Sequence, residues 1–253
     1  MRILAIDTSG LQAGAAIVDV AENAPYITVG EIFLNARTGE KNWTHSEILM
    51  PGVERLFELT RTEPQQVDYV AYTCGPGSFT GLRIGAACVL GIARALDKPA
   101  VAVPTLDALA YNMLGTGGQA TIVPMLDARR GQVYTAVFSR DDNGKIEKDG
   151  SEYMALPVAE LLEKLQKFSE NTKIIFFGDG ADANAETIRD KIPTAFFPPA
   201  NNNRQRAASV AICAAEKILS GEEISSAVEI MYVRAPQAVR EAAAKKSANG
   251  GEI

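Results

Sequence analysis

The chain has 253 residues, 47% of them hydrophobic and 22% charged, a composition typical of globular domains and a length sufficient for two. Its formal net charge of −6 excludes the broad basic surface of proteins that bind nucleic acid on their own. Its single histidine, His45, excludes a zinc site built on two histidines.

Three predicted strands open the sequence, and alternating helices and strands follow them. Thr44 and Glu47 mark the first helix, because in a Thr-x-x-Glu pair each side chain satisfies a free amide of the first turn. The second helix begins after Ser78, a residue type that is typical of helix N-caps. The elements predicted for this half are strands 3–6, 14–20 and 27–35, helix 44–59, strand 67–74, helix 79–96, strand 100–103, and helix 106–114 capped by Thr105.

The glycine-rich residues 115–119 predict a linker, after which the same order of elements begins again. The second half predicts strands 121–126, 132–139 and 146–153, helix 158–168, strand 173–177, helix 181–192, an extended piece at 195–197, helix 204–219, and a final strand or edge piece at 228–233. A duplicated βββαβαβα order is typical of the ribonuclease-H-like, actin-like (ASKHA) α/β fold. We therefore predict two subdomains, 1–116 and 117–236, and a flexible tail, 237–253.

Asp7, Thr8 and Ser9 end the first strand, where actin-like ATPases hold nucleotide phosphates and a metal. An ordinary turn stabilised by short polar side chains has the same residue types, and such turns are common. Asp127 ends the first strand of the second half, but two bulky arginines follow closely after it. A further turn, after the strand 173–177, has an aspartate between its two glycines, so the second-half nucleotide turns match weakly.

A glycine-rich loop joins the strand 67–74 to the apolar helix 79–96. It consists of Gly75, Pro76, Gly77 and Ser78. The loop lacks the lysine of a phosphate-binding P-loop. Gly81 and Gly85 lie four residues apart on the helix, a spacing that lets another backbone approach closely. The segment therefore predicts a structural turn followed by a helix whose glycines allow a neighbouring helix to pack closely. Another subunit could supply that neighbouring helix.

The first two helices carry more apolar surface than one sheet would cover. Apolar residues of the first helix span about 200° of arc, whereas a helix lying on a sheet needs a stripe of roughly 100°. Either a partner or later elements of the same chain would cover the excess. The residues predicted to form a partner interface are Leu49, Val53, Leu56, Gly81, Gly85, Cys88 and Ile92.

Several of these motifs together resemble the bacterial TsaB (YeaZ) family over nearly the whole chain. They are Asp7-Thr8-Ser9, Thr44-His45-Ser46-Glu47 with Pro51, Gly75 to Gly85, Pro104 to Leu109, Asp127 to Tyr134, and Met231 to Ala238. The glycine segment is the most specific part of the resemblance, and the second half is weaker.

The resemblance implies a non-catalytic, activating or scaffold subunit of the machinery that modifies tRNA. This machinery transfers a threonylcarbamoyl group from threonylcarbamoyl-AMP to the adenosine 3′ of the anticodon. The implied partners are a catalytic paralogue of the TsaD type, a small ATPase of the TsaE type, and a second copy bound through the same helices. The chain would reach tRNA only through the complex.

The resemblance implies no catalytic residue, no metal and no required cofactor. It leaves room for weak ATP or ADP binding in the complex, at a vestigial site of Asp7, Thr8, Ser9 and Asp127. No uninterrupted apolar run approaches the ~18 residues of a membrane span. Together with three scattered cysteines and no signal-peptide pattern, this predicts a cytoplasmic protein without a membrane contact.

Two enzyme hypotheses remain open beside the scaffold. An actin-like ATPase or kinase would use Asp7 and Asp127 around a metal-bound nucleotide. A peptidase would depend on His45, and one histidine does not build a zinc peptidase site.

Overall fold

The computed structural model describes residues 1–21, 24–35, 43–166, 172–224 and 228–233, so the predicted tail lies outside the described residues. The first sheet has the order β3-β2-β1-β4-β5, with β1 to β3 antiparallel and β4 and β5 parallel to β1. Its strands are β1 (Arg2–Asp7), β2 (Gln12–Asp19), β3 (Ile27–Asn35), β4 (Tyr69–Gly75) and β5 (Ala100–Pro104).

Helices α1 (His45–Thr60) and α2 (Phe79–Leu96) cover one face of the first sheet. The predicted capping box is confirmed, because the Thr44 amide donates to Glu47 Oε2 at 2.7 Å. The predicted bounds of α2 are also confirmed, with Ser78 Oγ accepting from the Gly81 amide.

The cap predicted at Thr105 is wrong. The short helix α3 (Thr105–Ala110) begins at that residue after Pro104, and a 3₁₀ turn, Tyr111–Met113, continues it. The Thr105 hydroxyl is buried and has no hydrogen-bond partner within the described ranges. Helix α3 packs on the second sheet through Leu106 and Leu109.

The second sheet repeats the order of the first, with interruptions. Strands β7 and β8 continue one another along β6 in a single register, and the gap between them faces Pro124, which has no N–H to donate. The third strand predicted over 146–153 is wrong beyond its first three residues, which form β9 and pair with β8, and the separate strand β10, which pairs with β7, begins only after it. The strands are β6 (Ala120–Asp127), β7 (Gln132–Thr135), β8 (Phe138–Arg140), β9 (Ile146–Lys148), β10 (Met154–Pro157) and β11 (Ile174–Phe177).

Strand β11 runs parallel to β6, and Phe196 forms an isolated parallel bridge to it, as the extended piece at 195–197 predicts. The predicted helix 181–192 is broken at Asn184 into two short helices. Residues 228–233 form an extended segment and no strand, and the Met231 amide donates to Cys74 O at 2.7 Å. The helices of this half are α4 (Val158–Leu165), α5 (Asp179–Ala183), α6 (Ala185–Lys191) and α7 (Ala207–Leu219).

Helix α7 follows the second sheet in sequence but packs on the free face of the first. Its alanines let it approach closely to β1 and β2, where Ile3, Ala5 and Val18 are buried. The two halves therefore exchange helices, since α3 belongs to the core of the second sheet. The boundary between residues 116 and 117 stays a prediction.

Two connections cross between the halves, and side chains tie both of them down. Asn112 Nδ2 donates to Asn202 O at 3.1 Å and to Arg204 O at 2.7 Å, while its Oδ1 accepts from Ser209 Oγ at 2.6 Å. The predicted linker is held by the buried Arg140, which donates to three of its oxygens. These are Gly117 O and Gly118 O, both at 2.9 Å, and Thr116 Oγ1.

Candidate functional site

The turn between β1 and β2, which we call the Asp7 hairpin, is folded around the Asp7 carboxylate. Asp7 is 4% exposed, and its Oδ1 accepts from the Ser9 amide at 2.9 Å, Ser9 Oγ at 2.6 Å and Thr73 Oγ1 at 3.2 Å. Its Oδ2 has no hydrogen-bond partner among the described residues. Burial raises the pKa of Asp7, and the hydrogen bonds from Ser9 and Thr73 oppose that shift.

The start of α2 is hydrogen-bonded to this hairpin. The Ser78 amide donates to Ser9 O at 2.7 Å, and Thr8 Oγ1 donates to Gly81 O at 2.8 Å. Both hydroxyls of the hairpin are therefore engaged within the chain, as is the Ser9 amide.

The glycines of this segment permit the close approach. A Cβ atom on Gly77 would lie under 3.0 Å from Ser9 O, and one on Gly81 would lie under 3.0 Å from Thr8 O. A Cβ on Gly85 would meet Thr8 Oγ1 at a similarly forbidden distance. Because Gly81 and Gly85 have no side chains, α2 can pack closely against the hairpin of its own chain. The prediction that another helix approaches at these glycines is therefore wrong.

Several polar groups of the hairpin are unavailable to a nucleotide phosphate in this conformation. Its Ser9 amide and its hydroxyls are already used, and α2 lies against its backbone. The nearly buried Gln205 side chain covers its tip, because a Cβ on Gly10 would lie 2.9 Å from Gln205 Nε2. The vestigial nucleotide site predicted at Asp7, Thr8, Ser9 and Asp127 stays a prediction, and in this conformation α2 and Gln205 lie against its first three residues.

Asp127 lies at the corresponding turn of the second half and is exposed. Its Oδ1 accepts from the Arg129 amide at 2.8 Å, and its own amide donates to Asp179 Oδ1 at 3.0 Å. Burial raises the pKa of Asp179. Within the described ranges, no group of three or more histidine, cysteine or acidic residues could hold a metal ion.

His45 lies in the first turn of α1. Its Nε2 is 3.3 Å from the backbone oxygen of Gln12, so its contact is with the first sheet. This is not the base–nucleophile pair that a serine or cysteine peptidase needs.

Five of the residues predicted for a partner interface belong to the core of the chain. Leu49, Val53 and Leu56 are at most 3% exposed, and Gly81 and Gly85 are buried against the hairpin. The most apolar face of each helix covers the first sheet, which is why these residues are unavailable to a partner. The remaining two, Cys88 and Ile92, are half-buried.

Some apolar side chains of α1 and α2 stay exposed outside the stripe that covers the sheet. We call them the outer face, defined by Met50 and Leu59, which lie on opposite flanks of α1, and by Ala87, Leu90 and Gly91 of α2. Met50, Leu59 and Leu90 are 42%, 63% and 46% exposed. The predicted interface did not include these residues, although Ala87, Leu90 and Gly91 recur at helical spacing between the two arginines of α2.

By length and composition alone, α2 could cross a membrane, although Arg83 and Arg94 interrupt its apolar residues, as the sequence predicts. Its 18 residues have a mean hydropathy of 1.5, and a third of them are buried. One such helix is weak evidence for a membrane span. Its inner side packs on β4 and on the hairpin, so α2 is part of the folded domain with an unusually apolar outer side.

The segment 228–233 holds the first turn of α2. Arg83 Nε donates to Tyr232 Oη at 3.2 Å, and the Arg83 guanidinium carbon lies 3.9 Å from the centroid of the Phe79 ring. The rings of Phe79 and Tyr232 have centroids 5.5 Å apart. The C-terminal motif of the sequence thus supports the helix that carries much of the outer face.

We expect Asp7→Asn to stabilise the protein at neutral pH. Because the folded state raises the pKa of Asp7, the contribution of this group to stability is full below its unfolded pKa of ~3.9 and is lost as pH rises through the folded value. Asparagine is never charged, so the variant should gain about 1 kcal/mol or more near pH 8. Thermal melting between pH 4 and 8 should show the gain shrinking toward acid.

The exposed Asp127→Asn is the control for removing one surface charge. A variant Asp7→Asn that melts below the wild type at pH 8 would contradict the prediction and would mean that the hydrogen bonds from Ser9 and Thr73 stabilise the charged carboxylate by more than burial costs.

Comparison with known proteins places this geometry in a family. The family model described as TsaD, tRNA N6-adenosine threonylcarbamoyltransferase, matches residues 40–252. The chain is 34% identical over 219 residues to the tRNA threonylcarbamoyladenosine biosynthesis protein TsaB of Bacillus subtilis strain 168, covering 86% of this chain and 88% of that protein. It is 31% identical over 169 residues to the protein of the same name from Escherichia coli K12, covering 67% and 68%.

Two solved structures from Pseudomonas aeruginosa share the fold. YeaZ matches with a TM-score of 0.66 at 23% identity, over 91% of this chain and 99% of that one. A protein described as similar to peptidase YEAZ matches with a TM-score of 0.70 at 23% identity, over 92% and 99%. The predicted actin-like α/β fold is confirmed, and, on the match to most of the Bacillus protein, the chain belongs to the TsaB (YeaZ) family of tRNA threonylcarbamoyladenosine biosynthesis proteins.

Proposed function

We propose that the chain is a non-catalytic docking subunit, with a catalytic paralogue of the TsaD type as its partner in tRNA threonylcarbamoyladenosine synthesis. One observation carries this proposal: the start of α2 fills the hairpin where an actin-like enzyme would hold phosphate, while the other side of α2 stays apolar and exposed. The chain then needs no cofactor of its own, and any ATP or ADP in the complex binds outside the Asp7 hairpin.

The outer face has the chemistry of a protein interface. It combines exposed large side chains, Met50, Leu59 and Leu90, with Ala87 and Gly91, whose small size lets a partner helix come close to α2. The same face would serve a second copy of the chain. Self-association and partner binding are then mutually exclusive, because both bury the same residues.

The other components follow from this placement. A small ATPase of the TsaE type joins the assembled pair, and tRNA is bound by the complex as a whole, in the cytoplasm. The net charge of −6 supports this order, since the chain alone offers no broad basic surface.

We expect Leu90→Glu to abolish binding of the catalytic paralogue. A carboxylate at the centre of an apolar interface would be desolvated without a partner, which should weaken affinity at least ~100-fold, or about 2.7 kcal/mol. The masses of purified mixtures, measured by light scattering after size exclusion, report the complex directly.

The matched control is Leu219→Glu, at the end of α7, where the leucine is 54% exposed. This variant should bind normally. Normal binding by a folded Leu90→Glu protein would show that the outer face is not the docking surface, and no complex with wild-type protein would refute the docking role itself.

A further inference from the structure

The outer edge of the second sheet is a short extended segment fixed by backbone hydrogen bonds. The Phe196 amide donates to Ile174 O, and the Phe176 amide donates to Phe196 O, each at 2.9 Å. This pairing holds the Phe196 side chain at the margin of the sheet, where it is 40% exposed.

Cations from two neighbouring elements lie over the aromatic rings of this edge. Lys173 Nζ is 3.8 Å from the centroid of the Phe196 ring, and the Arg189 guanidinium carbon is 4.5 Å from that of Phe197. The Phe197 ring stacks in turn on Phe176, with centroids 6.2 Å apart. The two cations lie on opposite faces of the sheet at this edge, because Phe197 packs with Phe176 on the face covered by α6, whereas Phe196 pairs with Ile175, whose side chain lies on the other face.

The positive charge of this edge is not neutralised by ion pairs. Lys173, Arg189 and Lys191 are exposed, and none forms an ion pair with a described residue. Asp190 lies between two of them in sequence and pairs with neither. Among the described residues, seven other cations form ion pairs, namely Arg2, Arg55, Lys145, Lys164, Arg204, Arg206 and Lys217, whereas Arg61, Arg83, Arg94, Lys98, Arg129 and Lys148 also form none.

We propose that this basic–aromatic edge, defined by Lys173, Arg189, Lys191 and Phe196, contacts the tRNA that the complex modifies. The inference rests on the proposed function and gives this chain its own share of RNA binding. In a chain of net charge −6, an RNA contact requires such a local cluster. Lysine and arginine bind phosphates, and an exposed phenylalanine ring can stack on an unpaired base.

The location of the edge is compatible with simultaneous binding of the protein partner. The outer face belongs to helices on the first sheet, whereas the basic–aromatic edge belongs to the second. Docking of the paralogue on α2 would then leave the edge free to meet RNA.

The test uses the complex reconstituted with the TsaD-type paralogue and a fluorescent tRNA. Fluorescence anisotropy titrations at several salt concentrations compare the wild type with the combined variant Lys173→Glu, Arg189→Glu and Lys191→Glu. We expect at least ~10-fold weaker binding near 150 mM salt and a fall of about 2 in the slope of log affinity against log salt. Glutamine at the same three positions should give an intermediate loss and guards against misfolding.

A control with the same change of charge carries glutamate at Arg61, Lys98 and Lys145. Equal losses in this control, or an unchanged salt slope in the test variant, would overturn the RNA contact. Light scattering of the wild-type mixture is measured first, so that failure of the two proposals can be separated. Absence of the complex overturns both, whereas a normal complex with an unchanged slope overturns only the RNA contact.

Discussion

Replacing Gly81 with alanine is expected to destabilise the protein by about 2–3 kcal/mol, or roughly 4–12 °C in Tm. The new methyl group would lie under 3.0 Å from Thr8 O, a backbone atom that cannot rotate away. Either α2 or the Asp7 hairpin must shift, which breaks the hydrogen bonds that join them. Chemical denaturation and thermal melting of the purified protein measure the loss.

The matched control is Gly91→Ala in the same helix. A Cβ on Gly91 meets nothing within 4 Å, so alanine should stabilise the protein by up to ~1 kcal/mol through helix propensity alone. A Gly81→Ala protein as stable as Gly91→Ala would show that α2 does not lie against the hairpin. The proposal that α2 occupies the position of a bound phosphate would then be wrong.

Replacing Asn112 with alanine is the second change with a large expected effect. It removes the two bonds donated to Asn202 O and Arg204 O and the one accepted from Ser209 Oγ. Each bond contributes about 1 kcal/mol, and buried groups left without a partner cost more, so a loss of about 2–4 kcal/mol is expected in denaturant unfolding.

Two further variants define the source of that loss. Asn112→Asp keeps the acceptor for Ser209 but loses both donated bonds and should be equally unstable, whereas the exposed Asn201→Ala on the same crossover should be near neutral. If Asn112→Ala lowers the free energy of unfolding by less than ~0.5 kcal/mol, the side chain of Asn112 does not hold the two connections between the halves together.

Local chemistry explains why much of the fold is predictable from the sequence. Helix α2 begins and ends as predicted, because Ser78 caps it and apolar residues recur at helical spacing up to Leu96. The interruptions of the second sheet were not predicted. Pro124 breaks the ladder on the neighbouring strand, an effect that appears only when the pairing is known.

The candidate site shows a different limit of sequence reasoning. The spacing of Gly81 and Gly85 correctly indicates a close backbone, but a spacing cannot say whose backbone it is. The apolar periodicity of α1 and α2 likewise identifies the strongest apolar face, and that face is buried on the sheet. The outer face is weaker in pattern and is recognisable only after the core has been assigned.

We propose that this chain binds its catalytic paralogue through the outer face of α1 and α2. Hydroxyl-radical footprinting with mass spectrometry, on the chain alone and in the complex without tRNA, tests it most directly because it reports side-chain exposure. We expect protection of Met50, Leu59 and Leu90 in the complex, with Leu219 and Phe196 unchanged. Unchanged oxidation of the first three, with new protection on the second sheet, would contradict it.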